Sequence, residues 1–167
     1  MAIIPLGESG EFAVVDDEDY HLVADYKWTL MHIRANGKKY AQANAGKVNG
    51  KRKVLLMHRV VMGVDDPKVF VDHRDFNGLN NRRTNLREAT RKQNDQNKKR
   101  YSNNTSGYIG VSAKNGKHVA SIRHERKTIY IGYFDCPMVA AKARDRKAFE
   151  LRGEFANLNF PLDSAVA

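Results

Sequence analysis

A carboxylate and an imidazole stand side by side at Asp72 and His73, with an amide at Asn85, twelve residues past the histidine, and another at Asn94, nine further on. These groups suffice to bind one divalent cation and activate one water. Phosphodiester hydrolysis needs a base for the attacking water and a cation to stabilise charge on the phosphorane and on the departing oxygen. An unperturbed imidazole, with a pKa of about 6.5, is largely neutral at physiological pH, so His73 can be the base. Asp72 is a hard oxygen ligand. Mg²⁺ keeps several waters and takes few protein ligands, so one carboxylate and one amide oxygen, completed by phosphate oxygens, form a workable site.

Neighbours on a regular strand point to opposite faces, so the spacing predicts a bend or bulge at Asp72-His73 if both are to reach one phosphate. Val69-Phe70-Val71 reads as a short apolar strand entering that bend, and Asn77-Gly78 and Asn80-Asn81 as turn residues of the loop beyond it. Asn85 to Ala89 can form the returning strand. Thr90 to Gln93 has the capping-box pattern, which predicts a helix opening at Arg91 with Asn94 in its first turn. Along one uninterrupted helix, nine residues turn through about 900°, leaving Asn85 and Asn94 on opposite sides; a strand-to-helix break lets both face one centre. Asn85 can then hydrogen-bond the second ring nitrogen of His73 or a nearby backbone group. Asn94 can bring its amide oxygen to the metal. His58 reads as a polar residue ending a strand against the core, or as a catalytic or phosphate-contacting group.

Met57-His58-Arg59-Val60, Val71-Asp72-His73-Arg74-Asp75, Asn80-Asn81, Asn85-Leu86, Thr90 and Asn94 resemble the HNH homing endonucleases with a ββα-metal finger, over about residues 1–98. The resemblance implies His73 as general base, Asn85 as the residue orienting it, and Asp72 with Asn94 as ligands of Mg²⁺, for which Mn²⁺ can substitute. The family name's third letter is here Asn94, a neutral ligand found in a phage-type subset.

Composition agrees with a polyanionic partner: 29 Lys and Arg against 19 Asp and Glu give a formal net charge of +10. Between Arg82 and Arg100 lie eight basic residues and two acids, Glu88 and Asp95. Arg82, Arg83, Arg87, Arg91, Lys98, Lys99 and Arg100 are the candidates there for DNA contacts. Six to eight phosphate contacts would give a log-log salt slope of roughly −5 to −7 on duplex DNA. The single cysteine, Cys136, excludes an internal disulfide and a multi-cysteine zinc site, and reads as an inert residue at a helix start. No stretch reads as a membrane span or a signal peptide, which places the protein in the cytoplasm.

Before the nuclease motif, Asn36-Gly37 and Asn49-Gly50 are type I′ hairpin signals separating runs near 28–33, 40–45 and 53–57, a three-stranded meander with Trp28 and Tyr40 in its core. Lys38, Lys39, Lys47, Lys51, Arg52 and Lys53 crowd its turns and edges, either touching DNA or guarding the edges against aggregation. A polar, basic stretch at 98–106 reads as a linker. Beyond it, strands near 108–112, 118–123 and 128–133 precede a helix over 137–152, capped by Asp135 and ended by Gly153, whose alanines allow close approach to the sheet. The sheet's other face would carry Lys114, Lys117, Arg123 and Lys127 and can enter a major groove.

Gly110-Val111, Val119 to Arg123, Ile131 to Asp135, Ala140-Ala141 and Asn159-Phe160-Pro161 are similar to the APETALA-type DNA-binding domain. That resemblance implies duplex readout from the sheet, with Arg123 the best base-reading candidate and Lys114, Lys117, Lys127 and Tyr130 beside it. His118 stands where that family usually has tryptophan. The expected architecture is α+β: a β-rich lead-in and nuclease finger over 1–97, the linker over 98–106, a three-stranded antiparallel sheet packed on one helix over 107–161, and a tail over 162–167. The expected activity is Mg²⁺-dependent hydrolysis of double-stranded DNA by a homing or mobile-element enzyme, encoded by a phage or a similar element. A monomer would nick one strand; monomer or homodimer stays open. Two other classes stay open: a non-cleaving, sequence-specific DNA-binding regulator, and a protein acting on structured RNA or DNA junctions without sequence preference.

Overall fold

Two-residue turns set the strand pairing in both halves of the chain. Asn49 and Gly50 lie at φ 50° and 74°, and Asn115 and Gly116 at 52° and 73°. They close hairpins in which Val48 faces Lys51 and Lys114 faces Lys117, the type I′ geometry whose twist matches that of the flanking strands. A third such hairpin joins His124 to Lys127 through Glu125 and Arg126, two non-glycine residues at φ 46° and 65°.

The computed structural model describes residues 1–34, 37–96 and 106–160, without the side chains of 94–96. Contacts divide the chain into two units, Met1–Arg91 and Lys92–Ala167. The architecture is α+β, built from several small antiparallel sheets and short helices.

In the first unit a hairpin of β1 (Ala2–Pro5) and β2 (Phe12–Val15) precedes a one-turn helix, α1 (Tyr20–Val23). The expected meander follows in the order β3 (Trp28–Ile33), β4 (Lys38–Val48), β5 (Lys51–Leu56). Trp28 is buried and donates from its indole to the Val23 carbonyl at 2.8 Å, so the tryptophan's polar atom is satisfied inside the core. Along β4, Ala41 and Ala43 enter that core with Leu6, Val15, Met57 and Val61. Tyr40 leaves the opposite face of the strand and meets two histidines instead of the apolar cluster.

Residues 57–62 form a helix, α2 (Met57–Met62), ended by Gly63 at φ 65°. The sequence suggested a strand ending near His58. The helix prevails because Met57, His58 and Val61 make one buried stripe, and a left-handed glycine follows to close it. Two further strands, β6 (Phe70–His73) and β7 (Leu86–Ala89), form the nuclease-motif hairpin, and α3 (Arg91–Gln96) opens at the expected residue.

The second unit pairs β8 (Val111–Lys114), β9 (Lys117–His124) and β10 (Lys127–Phe134) in the order β10-β9-β8 under α4 (Pro137–Arg152). Ala140 and Ala141 pack on Val111 and Ala120. The N-cap of α4 is Cys136, not Asp135, and no side chain caps it; Pro137 at the first helical position needs no hydrogen bond from its nitrogen. Gly110, at φ 74°, tolerates no side chain, since a Cβ there would lie 2.5 Å from the Ser121 carbonyl and 3.0 Å from Arg144.

Candidate active site

The β6–β7 hairpin runs in unbroken register, with Phe70 opposite Ala89, Asp72 opposite Arg87 and His73 opposite Leu86. The bulge expected at Asp72-His73 is absent, but β6 ends at His73, and Tyr40 neighbours both groups, in ring contact with His73 and under the charge of Asp72. The chain turns one residue later. Arg74 N donates to the Asn85 carbonyl at 2.9 Å, and Phe76 takes a left-handed φ of 62°. His73 is the last residue of β6, so the loop can fold back over its ring without rotating the strand.

That loop is built on Asp75. Its carboxylate accepts from Asn77 N at 2.8 Å, Asn80 Nδ2 at 2.7 Å and Asn85 Nδ2 at 2.9 Å. Its far end is pinned to β2: Val14 N donates to the Leu79 carbonyl at 2.8 Å and Asn81 N to the Val14 carbonyl at 2.7 Å. Gly78 lets the loop lie on β4, where a Cβ would sit 2.2 Å from the Lys39 carbonyl. The 3-10 turn Arg83–Asn85 is tied down by Arg83, whose Nε and Nη2 grip the buried Asp19 at 2.8 to 2.9 Å.

This frame delivers Asn81, fully buried, to His73. Asn81 Nδ2 donates to the Leu79 carbonyl at 3.2 Å and to Met57 Sδ at 3.3 Å, so its Oδ1 is the atom that lies 3.2 Å from His73 Nε2. An amide oxygen only accepts, so Nε2 carries the proton in this contact and Nδ1 keeps the lone pair. Nothing local in the sequence signals this role, because Asn81 reads as an ordinary turn former. Of the two bonds expected of Asn85, to the second ring nitrogen of His73 or to nearby backbone, the structure shows the backbone one: Oδ1 accepts from Asp75 N at 3.1 Å, and Nδ2 donates to the Asp75 carboxylate and to the Asn80 carbonyl.

His58 and Tyr40 complete the surroundings of the imidazole. The His58 ring stands edge-on to His73 with centroids 5.1 Å apart, and Tyr40 lies 5.6 Å from His58 and 5.9 Å from His73. Burial lowers the pKa of His73 despite the opposing influence of Asn81, Asp75 and Asp72. Burial also raises that of Tyr40, with Asp72 adding to the effect. His58 is driven down to about 3, by burial first and then by His73 and Arg59. Its folded pKa lies below the unfolded one, so the unfolded chain binds the extra proton. The resulting stabilisation is complete above about pH 6.5 and is lost as pH falls toward 3, by about 1.4 kcal/mol per pH unit across that window. Urea denaturation at pH 7 and pH 5 should show this loss, and His58→Phe should flatten it; an equally steep loss in the variant would contradict the assignment.

Asp72 is buried and ion-paired: Arg87 Nε and Nη2 donate to its Oδ2 at 3.0 and 2.8 Å. Arg87 was expected among the DNA-facing arginines, but it is as buried as its partner. Asn94 lies in α3, and its side chain falls outside the described residues. Among the described residues no group of three or more His, Cys, Asp or Glu could hold a metal ion. The buried carboxylate of Asp72 nonetheless fits a hard divalent cation that takes few protein ligands and draws on water and phosphate oxygens.

The other basic candidates divide by environment. Arg82 donates to Asn80 Oδ1 at 3.1 Å and Arg83 is committed to Asp19, while Arg91 is exposed. Lys98, Lys99 and Arg100 lie outside the described residues. In the second unit Lys114, Lys117, Arg123 and Tyr130 are exposed on the sheet face opposite α4. Lys127 pairs with His124 and so shares the register of Ile122 and Ala120, on the helix-covered side. A bulge between Tyr130 and Gly132 turns Tyr133 onto the open face beside Tyr130, with the two rings 58% and 74% exposed. In the first unit, β3 pairs with β4 only as far as Ala43, so the β4–β5 hairpin continues as a two-stranded ribbon. Its tip exposes Lys47, Lys51, Arg52 and Lys53.

The profile of a family described as HNH endonuclease matches residues 56–96, the segment carrying α2, β6, β7 and α3. An uncharacterised HNH endonuclease of Acanthamoeba polyphaga mimivirus is 33% identical over 150 residues, covering 90% of this chain and 75% of the viral protein. The chain belongs to the HNH endonuclease family. It is a nuclease, a hydrolase acting on DNA, from a family that generally uses a divalent metal. Two ethylene-responsive transcription factors of Arabidopsis thaliana are also similar: one is 44% identical over 70 residues, 40% of this chain and 36% of that protein, and another 45% over 56 residues, 32% and 24%. This chain thus spans well under half the length of either plant protein.

Proposed function

We propose that the protein is a Mg²⁺-dependent endonuclease of homing or mobile-element type that nicks one strand of duplex DNA per monomer, with His73 Nδ1 as the base. The observation that carries this reading is the Asn81–His73 contact, which fixes a neutral, Nε2-protonated ring beside Asp72 in a buried hairpin. His73 takes a proton from the attacking water. Asp72, with Asn94, holds the cation, which when bound stabilises charge on the departing oxygen. Burial supports the base by keeping its ring neutral.

The second unit locates the target in this reading, through an APETALA-type sheet. The open face presenting Arg123, Lys114, Lys117, Tyr130 and Tyr133 supports that role. The basic β4–β5 ribbon adds phosphate contacts, since a two-stranded ribbon fits a major groove. Arg123→Ala should relax site preference by about 1–3 kcal/mol if the guanidinium reads a guanine. Competition between a selected site and random duplex measures this, and an unchanged ratio would remove Arg123 from readout.

Supercoiled plasmid tests the whole proposal. With Mg²⁺, nicked circles should accumulate before linear DNA, and EDTA should stop the reaction. Linear product formed directly from supercoiled DNA would contradict single-strand nicking, and cleavage unaffected by EDTA would contradict metal dependence.

A further inference from the structure

We propose that Arg87 is a positioning residue of the nuclease reaction, holding the Asp72 carboxylate in the one orientation that receives the divalent cation; this rests on the reading that Asp72 is a metal ligand. Arg87 faces Asp72 directly across the two-stranded β6–β7 ladder, and the two side chains are 7% and 8% exposed. Two donors from the guanidinium, Nε and Nη2, meet the same oxygen, Oδ2, at 3.0 and 2.8 Å. Two bonds from a planar group restrict the carboxylate far more than one point charge does.

The placement is uneconomical for a residue serving DNA affinity. Exposed basic residues elsewhere, such as Arg91, Arg123 and the β4–β5 tip, are free to approach phosphates, whereas Arg87 spends its charge inside. Burying a guanidinium and a carboxylate together often costs as much as it gains, so strand pairing alone is a weak reason for the pair. Orientation of a ligand is a stronger one, because a carboxylate on a short strand has χ angles to lose before it binds a metal.

The test measures Mn²⁺ binding to the full chain, from the loss of the free-ion EPR signal, in wild type, Asp72→Asn, Arg87→Met and Arg87→Lys. Near-ultraviolet circular dichroism checks that each is folded. Arg87→Met should weaken Mn²⁺ binding by roughly 10–100-fold, the usual effect of removing a partner that orients a metal ligand. Arg87→Lys keeps the charge but loses the paired donors and should fall between the two; it decides the question if Arg87→Met does not fold. Wild-type Mn²⁺ affinity in Arg87→Lys and in folded Arg87→Met, with binding lost in Asp72→Asn, would overturn the role of Arg87 alone. Unchanged binding in Asp72→Asn, or none in wild type, would overturn the reading of Asp72 beneath it.

Discussion

His73→Ala should lower single-turnover DNA cleavage by about 10²–10⁴-fold, the range a positioned general base contributes, while leaving duplex affinity unchanged. The separation is expected because the ring is only 5% exposed and its one side-chain bond runs inward, to Asn81. Removing it takes away no phosphate-contacting surface. His73→Gln is a useful companion: its amide can still donate toward Asn81 but is far too weak a base, so it should be as inactive as the alanine variant while better preserving the packing against His58 and Tyr40. Plasmid nicking and gel-shift affinity measured on the same preparations check both halves of the expectation. Cleavage within a few-fold of wild type in either variant would remove His73 from the chemistry.

Asp145→Ala should be the most damaging substitution in the second unit, destabilising it by about 3–5 kcal/mol, the cost of stripping the partner from a buried charge. Asp145 is fully buried on α4. Its Oδ1 accepts from Arg144 at 3.0 Å and from Asn159 Nδ2 at 3.0 Å, and its Oδ2 from Asn159 N at 2.6 Å and Phe160 N at 3.0 Å. Asn159 in turn clasps both backbone groups of Ile109, its Oδ1 accepting from Ile109 N at 2.6 Å. One carboxylate thus ties the C-terminal segment and the approach to β8 onto the helix. Its loss also takes the carboxylate from Arg144, which would keep its bond to the Asn157 carbonyl and whose pKa burial already lowers. Urea denaturation with hydrogen exchange on α4 and β8 amides reads the effect. Asp145→Asn, keeping one acceptor without the charge, should be intermediate, and near-wild-type protection in the alanine variant would contradict this account.

What the sequence made legible was local. Asn49-Gly50 and Asn115-Gly116 announce their turns because few residue pairs tolerate two successive positive φ values. Thr90 to Gln93 announces a helix start because its chemistry lies within one turn. The site's decisive contact was not legible, since Asn81 reaches His73 only because its loop is hydrogen-bonded to Val14, some sixty-five residues away in sequence. Asn85 and Asn81 are chemically the same side chain, and nothing local says which of them faces the imidazole. Arg87 was misread for a similar reason: among neighbouring arginines its burial is set by the strand partner, Asp72. A fuller reading of α4 was within reach. The buried set 140, 141, 144, 145 and 148 keeps the spacing of a core-facing stripe, so charges at Arg144 and Asp145 on that stripe could have flagged an internal pair.

The tautomer of His73 tests the central claim most directly. Long-range proton–nitrogen NMR correlation on side-chain ¹⁵N-labelled protein at neutral pH should find Nε2 protonated and Nδ1 bare, with the pattern lost in Asn81→Ala. A His73 ring protonated on Nδ1, or one whose nitrogens ignore the Asn81 substitution, would contradict it.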